Sequence, residues 1–165
     1  MSFLEVFVSN LIKIKMSDLK FSVLGESSSA TKFIGKTRQF TLVVDEPTDL
    51  GGTDDDANPV EYILAGLAGC VNVIGHIVAK ELGFVIKNLK IEVSGELNPN
   101  RLLGSSLNER AGFKSINLSL IPETDANIET LFKWLKIVEN RCPVNDNLQN
   151  KTPVTIAVEK QYQVS

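Results

Sequence analysis

The element pattern of this 165-residue chain predicts an α+β fold, and two observations carry the prediction. Runs of β-favouring residues and helical patterns follow in the order strands, long helix, strands, helix, strand, instead of regular βαβ alternation. The stretch from Pro59 to Leu82 is apolar on nearly every helical face, which is the signature of a helix buried on all sides. The expected architecture is therefore antiparallel sheets packed around a long buried central helix. Residues 18–165 read as one domain, within the usual size of roughly 100–150 residues, and residues 1–17 as an N-terminal extension or edge strand.

In chain order, Phe21–Leu24 and Gln39–Val44 read as antiparallel strands, separated by the small, polar stretch GESSSATK. Asp45–Asn58 is rich in turn formers and acids and reads as a loop. Asn58-Pro59-Val60-Glu61 then supplies a capping residue, a proline suited to the first helical position and a glutamate able to reach back to the capping amide. Gly83 is placed to end that helix. Ala65-Gly66 and Ala68-Gly69 along it permit close approach by other backbone.

Val85–Leu97 alternates, with Ile86, Leu89, Ile91 and Val93 inward, and Lys114–Ile121 repeats the strand pattern across the polar connection Asn98–Gly112. Asp125 is the expected cap of a second helix whose Ile128, Leu131, Leu135 and Val138 follow the 3.6-residue period, flanked by Phe132 and Trp134. That helix should end near Cys142-Pro143. Pro153–Gln161 alternates Val154, Ile156 and Val158 with Thr155, Ala157 and Glu159, and reads as a closing strand.

Composition narrows the function classes. Seventeen basic against twenty acidic residues give a net charge of −3, without the basic surplus that neutralises phosphates, so no nucleic-acid partner is expected. No run reaches the ~18 consecutive apolar residues of a membrane span, so no membrane partner is expected. Glu5 precedes the N-terminal apolar run and Lys13 and Lys15 follow it, the reverse of a signal peptide, so the expected location is cytoplasmic. The GxGxxG, GxxxxGK[ST], HExxH and GxSxG patterns are absent.

The two cysteines, Cys70 in GLAGC and Cys142 in RCPV, suit neither a CxxC redox motif nor a zinc knuckle, and the chain holds a single histidine. Their own chemistry leaves two readings open: small core residues, or thiols that the fold brings together. His76 is about 600° of helical rotation from Cys70, too far round for a Cys–His pair. Asp54-Asp55-Asp56 lacks the spacing of a calcium loop and reads as solvated. No metal or cofactor is expected.

The wording DEPTDLGGTDDDANPVEYILAGLAGC, followed by ENRCPVNDNL and TPVTIAVE, resembles the OsmC/Ohr superfamily of thiol-dependent peroxide-removing proteins, over most of Arg38 to Glu159. It looks most like the broad OsmC-like branch. The resemblance implies an intertwined homodimer with composite sites at the subunit interface, a reactive Cys70 and a resolving Cys142. Its cycle passes through a sulfenic acid and a disulfide that an external thiol reductant reopens. The substrate implied is a small hydroperoxide, with an apolar, organic one suggested by the helix wall. No cofactor is implied.

The reactive thiol must ionise near neutral pH, whereas a free thiol has a pKa of roughly 8.5. The family meets this with an arginine from the early strands, and Arg38 is the best-placed match, with Lys32 and Lys36 close by in sequence. Glu61 is the candidate carboxylate, although it lies on the helix face opposite Cys70 and also serves as a cap. Two further readings accompany the peroxidase: a non-catalytic binder of small or lipid-like molecules, and a thiol redox sensor on the same fold.

Overall fold

The computed structural model describes residues 18–160, so the expected N-terminal strand within residues 1–17 lies outside the described residues. The chain divides into two compact units, one up to Asn58 and one from Pro59 onward.

The first unit is a three-stranded antiparallel sheet, β1 (Leu24–Ser27), β2 (Phe33–Thr37) and β3 (Phe40–Val44), in the order β1-β2-β3. The Thr37↔Phe40 pairing leaves Arg38 and Gln39 as a two-residue hairpin turn. Arg38 takes the positive φ, 53°, that such tight hairpins require. Two expectations change here. The first strand begins at Leu24, where the sequence suggested Phe21–Leu24, and Phe33–Thr37, which carries Gly35 and Lys36 and lacks clean alternation, forms an unexpected middle strand.

Beyond β3, the segment Asp45–Asn58 is irregular apart from a 3-10 turn at Thr48–Leu50. Asp45, fully buried, organises it. Its carboxylate accepts from the Glu46, Thr53 and Asp55 amides and from the Thr53 hydroxyl at 2.6 Å, and it pairs with Lys32 at 3.5 Å. Lys32 also bonds Asp55 and Thr53. The acidic run is thus partly consumed by its own loop: Asp55 is paired with Lys32, not simply solvated.

In the second unit, α1 (Pro59–Glu81) packs against β4 (Asn88–Glu96) of a two-stranded antiparallel sheet, β4-β5, with β5 spanning Ser115–Glu123. It also packs against α2 (Ile128–Arg141) and α3 (Pro143–Gln149). Gly83, at φ 81°, ends the helix as expected. Its N–H bonds the Lys80 carbonyl and the Phe84 N–H bonds that of Ala79, the paired bonds that close a helix on a left-handed residue. Leu67, Val71, Val78, Ala79, Ile86, Trp134, Val138 and Cys142 form the buried core. The strand alternation holds, since β4 and β5 both switch between exposed and half-buried at every residue.

Four expectations for this unit are corrected. Helix α1 is buried on one face and not all round: Ile63, Ala65, Gly66, Gly69, Val73 and Ile77 are exposed. By length and mean hydropathy alone it would qualify as a membrane span, but its buried face is the core of this α+β unit. The α2 cap is Asn127, whose side chain accepts from the Thr130 N–H at 2.9 Å, instead of Asp125. A second helix turn, α3, follows Cys142 directly. Finally, Pro153–Lys160 is irregular and exposed, with no strand assigned among the described residues. An alternating sequence needs to pair with a neighbouring edge to become a strand, and this segment pairs with none among the described residues.

Candidate active site

Cys70 lies midway along α1, packed with its neighbours Leu67, Val71 and Ile74 against the core. Cys142 is fully buried at the junction of α2 and α3, where it ends one helix and caps the next. Pro143 explains this junction. It has no N–H with which to continue α2, and its fixed φ suits the first position of a new helix. The last α2 bond runs from the Cys142 N–H to the Val138 carbonyl, 3.1 Å.

The two sulfurs share a hydrogen bond at Sγ–Sγ 2.9 Å across 72 positions of sequence. The first amides of α3 face them: the Asn145 N–H donates to Cys142 Sγ at 3.4 Å, and the Val144 N–H donates to Cys70. Burial, and next the hydrogen bond shared with Cys142, push the Cys70 thiol above its ordinary value, while the Val144 N–H pulls the other way. The Arg141–Glu81 ion pair ties the end of α2 to the end of α1 beside this junction.

The same faces border a cavity of about 560 Å³. Leu67 and Val71 of α1, Leu118 of β5 and Leu135 of α2 give it an apolar side, and Arg110, Lys114, Glu139 and Asn145 a polar one.

The structure brings Cys70 and Cys142 together as expected. Glu61 stands in the first turn of α1, nine residues before Cys70 in one unbroken helix, which sets it roughly 13 Å away along the axis. Arg38 belongs to the first unit, in the β2–β3 turn and not at a strand start, with its guanidinium 4.9 Å over the Phe40 ring. Lys32 is engaged by Asp45 and Asp55. His76 is exposed and its Nδ1 contacts the Asn72 carbonyl, 2.9 Å, as an ordinary helix residue. Sequence reasoning missed the α3 amides, although RCPV held the signal: a proline directly after a cysteine at a helix end makes that cysteine the cap of a following helix.

The OsmC family model, described as OsmC-like protein, matches residues 52–157, which include both cysteines. The chain belongs to the OsmC-like protein family. No curated protein matches it. Among solved structures, an OsmC-like protein from Mycoplasma pneumoniae is similar at 22% identity and TM-score 0.70, covering 81% of this chain and 89% of that one. An organic hydroperoxide resistance protein from Elizabethkingia anophelis aligns at 17% identity and TM-score 0.60, covering 81% and 91%. An organic hydroperoxide resistance protein OsmC from Legionella pneumophila aligns at 17% identity and TM-score 0.58, over the same shares. These likenesses place the chain in the OsmC-like fold, the α+β arrangement expected from its sequence.

Proposed function

We propose that this OsmC-like protein is a thiol-dependent peroxidase that reduces organic hydroperoxides, and that it works as a homodimer in the cytoplasm. The observation that carries the reading is the 2.9 Å approach of the Cys70 and Cys142 sulfurs, with backbone N–H groups facing both. In the cycle, the Cys70 thiolate attacks the distal oxygen of ROOH. The O–O bond breaks, Cys70 becomes a sulfenic acid and the alkoxide leaves as ROH after taking a proton. Cys142 then attacks the sulfenic sulfur, forming a disulfide and releasing water. An external dithiol returns both cysteines to thiols and is itself oxidised to a disulfide.

Arg38 supplies the positive charge that makes Cys70 ionisable in this reading, since burial alone pushes that thiol the wrong way. Its freedom from carboxylate pairing in the hairpin turn favours it over Lys32. Glu61 is the carboxylate that orients Arg38 in this reading, through the geometry of the partner subunit. The exposed apolar face of α1 is the dimer surface. The cavity beside α1 would receive the apolar part of the hydroperoxide.

The same cavity, about 560 Å³ and largely apolar, favours one second reading, a binder of small or lipid-like molecules without turnover. Consumption of cumene hydroperoxide by the purified protein with a dithiol reductant separates the two. Many turnovers per chain, lost in Cys70→Ser, support the peroxidase. One-off oxidation points to a redox sensor, and inertness to the binder.

A further inference from the structure

We propose that Asn145 is a positioning residue that holds the α2–α3 elbow in the geometry needed for the Cys70–Cys142 disulfide to form. Pro143 leaves an orphan: the Glu139 carbonyl, whose i+4 donor would have been the missing N–H of residue 143. The Asn145 side chain takes that place, donating from Nδ2 to the Glu139 carbonyl at 3.0 Å. Its own backbone N–H donates to Cys142 Sγ at 3.4 Å. One residue therefore ties the end of α2 to the start of α3 and touches the sulfur between them. Its Oδ1 accepts a separate, exposed bond from Gln149 Nε2 at 3.0 Å.

The geometric consequence is specific. The sulfurs sit 2.9 Å apart, and a disulfide needs about 2.05 Å, so bond formation asks for a small shift from a fixed elbow. Where the elbow swings freely, the two thiols meet less often, and the effective concentration of one for the other falls. Asn145 thus sets how readily the pair oxidises.

The proposal rests on the disulfide-forming reading of the pair, so the experiment reads that bond and not peroxide turnover. The full chain is equilibrated in glutathione buffers, where the protein dithiol plus GSSG gives the protein disulfide plus two GSH, and the oxidised fraction is counted by thiol alkylation and mass spectrometry. Asn145→Asp keeps the size and the acceptor for Gln149 but cannot donate to the Glu139 carbonyl. It is expected to lower the equilibrium constant for the disulfide about tenfold, which corresponds to about 30 mV. Asn145→Ala should move it the same way, and Gln149→Ala should stay within about twofold of wild type, since it leaves the Glu139 bond in place.

A merely structural role would lower the melting temperature of the dithiol and disulfide forms equally and leave the equilibrium constant unchanged. That result in both Asn145 variants overturns the proposal, as does an equal shift in Gln149→Ala. If Asn145→Asp fails to fold by circular dichroism, Asn145→Ala decides. Absence of any disulfide in the wild-type protein would overturn the redox reading itself, together with this role for Asn145.

Discussion

Trp134 donates its indole N–H to the Gly75 carbonyl at 2.8 Å, and a Cβ at position 75 would stand 3.1 Å from that same ring. The missing side chain of Gly75 is what lets α2 lie close on α1, and the indole bond fixes the contact. Phe84 meets the ring edge-on with centroids 6.4 Å apart. Trp134→Phe removes the bond and part of the buried ring. It is expected to destabilise the fold by about 1–2 kcal/mol, read by urea denaturation, with the Cys70 alkylation rate below the transition unchanged.

The first unit should be acid-sensitive in a defined window. Hydrogen bonding from Thr53, with the Lys32 charge behind it, holds the Asp45 carboxyl at about 2, below its ordinary 3.8. A depressed folded-state value stabilises the fold above the ordinary value, and that contribution disappears as pH falls from 3.8 through about 2. Amide exchange in β2, β3 and residues 45–55 should rise over that window. Asp45→Asn should abolish the pH step and lower protection already at neutral pH. At the alkaline end the sign reverses for Lys32, raised above 10.5 chiefly by its bond to Asp55, so its contribution fades above that pH.

If Arg38 ionises Cys70, its removal raises the pH at which that thiol reacts. Arg38→Met should shift the midpoint of Cys70 alkylation by iodoacetamide upward by about one unit or more, followed by mass spectrometry against pH. Lys32→Met should leave the midpoint in place, because Lys32 is tied to Asp45 and Asp55. The opposite pattern would transfer the role to Lys32.

The exposed stripe of α1, with Val73 56% and Ile77 42% exposed, predicts a self-association surface. Sedimentation at micromolar concentration should give twice the 18.1 kDa chain mass, with more than about 2,000 Å² buried in total. Val73→Asp should return the chain to a monomer. A wild-type chain already monomeric would remove the composite site along with Arg38's part in it.

Much of this was legible in the sequence, and the reasons separate by range. Helix α1 and its stop were readable because Pro59 and Gly83 act locally, through one fixed φ and one positive φ. The β4–β5 alternation was readable because one face of each strand meets the core. Strand β2 was not, because Gly35 and Lys36 break its pattern and only pairing on both sides makes it a strand. Asn127 displaced Asp125 as a cap by two residues, since its side chain and not that of Asp125 reaches the Thr130 N–H three positions on. The meeting of Cys70 with Cys142 is a tertiary fact that spacing alone could not supply; the family wording pointed to it, and the α3 amides around it were visible only once Pro143 was placed at a helix start.

The segment after α3 has a consequence for the lone chain. Val154, Ile156 and Val158 are 78%, 89% and 95% exposed, on a five-residue stretch, VTIAV, that carries no charge. Uncharged, β-prone stretches left in solvent template cross-β stacking. Here the stretch is bracketed by Lys151 and Pro153 on one side and by Glu159 and Lys160 on the other, residues that interrupt such stacking. Charge-removing changes at these flanks, Lys151→Val or Glu159→Val, would therefore show up as insoluble protein on expression at high level before any effect on the folded state could be measured.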